Sequence, residues 1–127
     1  MKKTISTDKA PAAIGPYSQA VSFNDLVFCS GQIPLDPVSG DIVGEDTASQ
    51  MKQVMKNLGA VLDASGSGWD KVLKCTIYLV DMADFTVVNE IYAEYFTENP
   101  PAREAVAVRT LPRNVRVEVS CFAFRQD

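Results

Sequence analysis

Any acid–base chemistry in this chain has to be done without histidine, because none of its 127 residues is one. That removes Ser-His-Asp and Cys-His catalysis, together with the usual histidine-rich zinc and iron sites. Carboxylates, tyrosines and lysines remain as proton-transfer groups. Most of the 16 acidic residues fall in turns or on polar helix faces, where solvation accounts for them. Glu118 is different. It lies in an apolar run between Val117 and Val119, so its carboxylate is either on an exposed strand face or held by a partner. Arg103 opens another strand-like run after Pro101-Ala102. Its fork could hold a planar carboxylate through two parallel hydrogen bonds, although a solvated strand end shows the same pattern. Arg109, Arg113 and Arg116 cluster around the last turn, which reads most simply as a charged hairpin tip. Cys29, Cys75 and Cys121 are odd in number, far apart and without a C-x-x-C, as expected of reduced, buried thiols in a cytosol-like compartment. No glycine-rich phosphate loop is present.

The elements that must carry these residues follow from periodicity. Asp8–Tyr17 is broken by Pro11, Gly15 and Pro16, and reads as irregular chain. Ala20–Cys29 reads as a hairpin about Asn24-Asp25, and Asp36–Gly40 as a type I turn. Thr47-Ala48-Ser49-Gln50 fits a capping box. It opens a helix whose Met51, Val54, Met55, Leu58, Val61 and Leu62 form one apolar stripe, stopped by Gly66 and Gly68. In Val72–Val80, Leu73, Cys75, Ile77 and Leu79 alternate with Lys74, Thr76 and Tyr78, which predicts a half-buried strand. A second helix is expected from a cap at Asp84. Its apolar side carries Phe85, Val88, Ile91, Tyr92, Tyr95 and Phe96, and Asn99-Pro100-Pro101 ends it. Two strands, Arg103–Thr110 and Val115–Phe124, complete the chain.

The order ββ, helix, β, helix, ββ predicts an α+β domain, one mixed sheet with two helices on one face. The other face would then carry Phe122 and Phe124, which suggests a partner subunit. Length makes residues 1–127 a single domain. A hydrophobic share of 46% with 22% charged residues is that of a globular protein. Net charge −4 argues against a nucleic-acid or anionic-membrane surface. No apolar run approaches the roughly 20 residues of a membrane helix. Met1–Ile5 is not followed by the apolar stretch of a secretory signal, so a cytoplasmic location is expected.

Three stretches carry a more specific likeness. They are Ala10-Pro11-Ala12-Ala13-Ile14-Gly15-Pro16-Tyr17-Ser18-Gln19-Ala20, then Ser30-Gly31-Gln32-Ile33-Pro34 with its following turn, and finally Asp84–Tyr92, Pro101-Ala102-Arg103, Leu111-Pro112 and Val117-Glu118-Val119. Together, and essentially end to end, they resemble the RidA family, also called YjgF, the reactive-intermediate (enamine/imine) deaminases. The resemblance implies a chorismate-mutase-like fold and a homotrimer with sites at subunit interfaces. The implied activity is that of a 2-iminobutanoate/2-iminopropanoate deaminase: hydrolysis of 2-aminoacrylate-type enamines, through their imines, to 2-keto acids and ammonia. Neither metal nor cofactor is implied. Carried over by position, Arg103 would clamp the substrate carboxylate and Glu118 would hold the attacking water. Tyr17 would line the pocket, with Ser30, Gly31 and Asn89 as further pocket positions, and Ala105 would offer a backbone N–H.

Four positions depart from the family pattern: Glu104, Ala105, Arg109 and Ser120. Strand alternation should turn Glu104 away from the face of Arg103. The departures bear on substrate preference more than on reaction type. Beside a non-catalytic chaperone role for unfolded proteins, two rival readings remain. One is a trimer that binds 2-keto acids and similar small carboxylates without turnover. The other is an endoribonuclease or translation inhibitor, against which the acidic balance and the missing aromatic–basic strand motif count.

Overall fold

In the computed structural model, residues 1–126 are described. Among them six strands, β1 (Lys2–Ile5), β2 (Ala20–Phe23), β3 (Leu26–Gln32), β4 (Val72–Leu79), β5 (Ala102–Ala107) and β6 (Val117–Phe124), form one sheet in the order β1-β2-β3-β6-β4-β5. Helices α1 (Thr47–Ala64) and α2 (Phe85–Ala93) pack on one face. The expected α+β class and layer arrangement are therefore present. All pairings are antiparallel except β4–β5, which is parallel.

α1 forms where its stripe predicts, and all six stripe residues are fully buried. Each such side chain removed from water stabilises the fold by about 1.5–3 kcal/mol. The cap is not the expected one. Asp46 accepts the Ser49 N–H at 3.0 Å, while Gln50 donates to the Gly44 carbonyl and accepts the Arg116 N–H. Asp46 fits because its short carboxylate sits one residue before the first helical φ/ψ. Gly66, at φ 77, closes the other end as anticipated.

The Asn24-Asp25 hairpin is present, with Asn24 in the left-handed region at φ 54. The turn at Asp36 is wider than a type I turn: the Gly40 N–H reaches the Asp36 carbonyl at 2.9 Å. β1, not anticipated, adds a short outer strand to β2. The face assigned to Leu73 is corrected. The register slips between Val72 and Lys74, so Val72 is buried and Leu73 is 46% exposed. Asp84 precedes α2 without capping it; its carboxylate takes the Arg116 guanidinium at 2.6 Å. α2 ends at Ala93, so Tyr95 and Phe96 pack from the turn beyond it.

The largest correction concerns the last two strands. They are not a hairpin. β4 lies between them, parallel to β5 and antiparallel to β6. The supposed basic cluster disperses accordingly: Arg116 is drawn to Thr47 and Asp84, Arg113 donates to the Gly40 carbonyl, and Arg109 is exposed beyond β5.

Candidate functional site

Register decides which candidates meet. Arg103 is opposite Cys75, whose side chain is buried beneath the helices, whereas Glu118 is opposite Tyr78 on the uncovered face. The two therefore lie on opposite faces of one sheet, with β4 between their strands. Arg103 and Glu118 are thus not on neighbouring strands, and they do not meet within one chain.

On the helix side, Arg103 Nη1 donates to Asn89 Oδ1 at 2.6 Å, and its guanidinium carbon lies 5.2 Å from the Phe85 ring centroid and 5.0 Å from that of Tyr92. Asn89, Tyr92, Phe96, Pro101 and Arg103 line a cleft of about 380 Å³. No described carboxylate pairs with Arg103. Glu104 turns to the other face, as alternation requires, and binds Lys74 Nζ at 2.9 Å, which holds its carboxyl below the ordinary value. Ala105 shares the inner side of β5 with Arg103 and packs on the core. Val108 N–H bonds the Leu79 carbonyl. By strand alternation the N–H groups of residues 104 and 106 also face β4, and those of Arg103 and Ala105 face the free edge.

On the uncovered face, Tyr17, Ser30, Gly31, Ile33, Pro112 and Glu118 come together around a cleft of about 460 Å³. The proline-broken segment before β2 is held there by Gln19. Its buried side chain donates to the Thr7 and Pro11 carbonyls and accepts the Thr7 N–H, which presents Tyr17 at the surface. Ser30 anchors the same loop, its hydroxyl donating to the Ser18 carbonyl at 2.6 Å. Gly31 sits in the irregular part of β3, against Glu118: a Cβ built there would fall on the carboxylate oxygen. Glu118 is half-buried, and desolvation alone raises its pKa above 4.5. Ser120 follows on the same face, beside Thr76.

Sequence reasoning missed the contacts that Phe85 and Tyr92 make with Arg103. Their signal was present: Phe85, Asn89 and Tyr92 are spaced i, i+4, i+7 on α2. It was masked because the two aromatics also satisfied the apolar stripe.

The molecule thus carries an unpaired guanidinium able to take an anion and a desolvated carboxylate able to take a proton from water, set on opposite sides of an α+β sheet. Residues 7–125 match the family described as endoribonuclease L-PSP, and the chain belongs to that family, the RidA (YjgF) family. A mouse relative named 2-iminobutanoate/2-iminopropanoate deaminase is 50% identical, over 97% of this chain and 91% of its own. An Arabidopsis thaliana relative named reactive intermediate deaminase A, chloroplastic, is 51% identical over 96% of this chain and 65% of its own. Among solved structures, that of E. coli TdcF with bound serine superposes with a TM-score of 0.92 at 37% identity, covering 98% of this chain and 99% of the other. Among the described residues no helix is long and apolar enough to cross a membrane.

Proposed function

We propose that this protein hydrolyses 2-aminoacrylate-type enamines, through their 2-imino acid tautomers, to 2-keto acids and ammonia. The observation that carries this reading is that one chain holds both an arginine restrained only by neutral groups and a half-buried glutamate whose pKa desolvation raises. Arg103 would bind the substrate carboxylate through its free N–H groups. Glu118 would hold a water and draw a proton from it as the oxygen attacks the imine carbon. The C–O bond forms, the C=N electrons move to nitrogen, and Glu118 returns the water's proton to that nitrogen to give the carbinolamine; its hydroxyl proton then passes through Glu118 to the amine as the C–N bond breaks, leaving the 2-keto acid and ammonia. An imine carbon is already electrophilic, so positioning and one base suffice. Tyr17, Ser30 and Gly31 shape the Glu118 side, and Asn89 with the Ala105 N–H shapes the Arg103 side. The relatives named as deaminases support this reading, and the bound serine in TdcF is itself a small α-amino carboxylate.

Because the two halves face opposite ways, one chain needs a second copy to close the site. A free β5 edge beside Arg103 and an uncovered face with exposed Phe28 and Phe122 support a homotrimer of chorismate-mutase-like, single-domain subunits with sites between them. The cytosol is the proposed compartment.

The test is a coupled assay in which a serine dehydratase supplies 2-aminoacrylate and pyruvate formation is followed. Acceleration at micromolar protein is expected. Keto-acid binding with no acceleration would instead establish the non-catalytic carboxylate-binding trimer. RNA cleavage is suggested by the family description, and would displace this reading if it survived rigorous purification and vanished in Arg103→Ala. A second expectation concerns Gly31→Ala. The added methyl displaces the Glu118 carboxylate, and a shift of about 1 Å in a reacting group is expected to cost on the order of 10²-fold in turnover. Thermal melting should show the variant folded, so wild-type turnover in a folded Gly31→Ala protein would count against Glu118 as the water-holding group.

A further inference from the structure

We infer that the Phe85 and Tyr92 rings are positioning residues for Arg103, holding its guanidinium unpaired and pre-aimed at the substrate carboxylate. The inference rests on the reading of Arg103 as the carboxylate anchor.

Arg103 is exposed at the start of an edge strand. A long side chain in that setting ordinarily samples many rotamers, and ordering it at each binding event weakens binding. Here three groups on one side of α2 restrain it: the ring faces at 5.2 and 5.0 Å and the Asn89 amide oxygen at 2.6 Å. All three are neutral. An aspartate or glutamate in their place would fix the fork equally well but would neutralise it and compete with the substrate. A π face attracts the cation without occupying its N–H donors, and Asn89 accepts from only one of the guanidinium's five.

The platform is itself braced. Tyr92 packs on Phe96 at 4.6 Å between centroids, and Phe96 packs on Trp69 at 5.4 Å. Trp69 lies against α1 at Gly59, where a Cβ would come within 3.2 Å of its ring. The rings under Arg103 are thus tied to the helix layer and not free to follow the guanidinium. The Tyr92 hydroxyl is buried beside the Cys75 thiol and makes no hydrogen bond to Arg103. The ring of Tyr92, and not its hydroxyl, is therefore the group that serves Arg103.

Phe85→Leu, Tyr92→Leu and Tyr92→Phe should be compared with the unmodified protein, each alone and in an Arg103→Ala background. KM and kcat come from the coupled assay, the Kd for 2-ketobutyrate from calorimetry, and folding from thermal melting. Phe85→Leu and Tyr92→Leu should each raise KM and Kd by about 3- to 30-fold, the range of a single cation–π contact, with the loss in KM and not in kcat. Tyr92→Phe should restore most of what Tyr92→Leu loses. In the Arg103→Ala background neither Leu variant should weaken binding further. Phe85 is only half-buried, so Phe85→Leu decides the matter if Tyr92→Leu fails to fold. Unchanged KM and Kd in folded Phe85→Leu, or equal losses with and without Arg103, would overturn the inference while leaving the anchor intact. An unchanged Kd in Arg103→Ala itself would overturn the anchor reading and this inference with it.

Discussion

Arg103→Ala is expected to lower kcat/KM for 2-iminopropanoate by about 10²–10³-fold, the loss that follows when one partner of a desolvated, hydrogen-bonded charge pair is removed. The substrate carboxylate would lose its only cationic contact from this cleft, since no other lysine or arginine lines it. The fold should survive. Arg103 is an exposed residue of an edge strand, held by one hydrogen bond and two ring faces, and no buried charge is left unpaired when it goes. Arg103→Lys should recover only part of the loss, because an ammonium cannot reproduce the bidentate fork. Steady-state kinetics in the coupled assay, with light scattering to check assembly, measure both effects. Wild-type kinetics in Arg103→Ala would mean that the anchor lies elsewhere.

Glu118→Gln is expected to act on kcat, with a loss of about 10²–10⁴-fold, the range for a positioned acid–base group. KM should change little, because the carboxylate anchor is on a different element. The pH dependence follows from the desolvated environment of Glu118, which raises its pKa above 4.5. Water activation needs the ionised form. Activity should therefore fall as pH drops through a value above the ordinary glutamate range, and this acid limb should be absent from the residual rate of Glu118→Gln.

Stability runs the other way. With the folded pKa raised, the native state binds the extra proton more readily than the unfolded chain does. Stability falls as pH rises from 4.5 through the raised value, and the penalty is complete above it. Glu118→Gln should thus melt higher than the parent at neutral pH and lose that advantage in acid. An acid limb unchanged in Glu118→Gln would assign the titration to another group.

The same two variants test whether the site crosses subunits. Unfolded together and refolded, Arg103→Ala and Glu118→Gln chains should regain about one quarter of the wild-type rate, the share of random interfaces that receive an intact residue from each side. If both residues acted within one chain, no mixture would recover activity.

Local periodicity made much of the fold legible. The α1 stripe, the β2–β3 hairpin and the Gly66 stop are all short-range patterns, in which neighbours along the chain are neighbours in space. The failures share one cause. Leu73 was placed on the wrong face because a bulge between Val72 and Lys74 breaks alternation, and the bulge answers to β6 rather than to β4 itself. Asp84 looked like a cap until Arg116, thirty-two residues later, took its carboxylate. In the candidate site, Glu118 stands out as a charge in an apolar strand, whereas Gly31 owes its weight to the resemblance alone. The requirement at Gly31 is a steric one, set by the glutamate of another strand.

By itself, the sequence determined the chemical inventory: no histidine, one carboxylate embedded in an apolar strand, an arginine opening another, and motifs specific enough to indicate the family. Those are properties of residue type and short spacing. Only the tertiary structure decided that β4 enters between β5 and β6, and so that Arg103 faces the helices while Glu118 faces away from them. Strand order in a mixed sheet is set by pairings between distant segments. No local pattern encodes it, and side-chain alternation then converts the pairing into a choice of face.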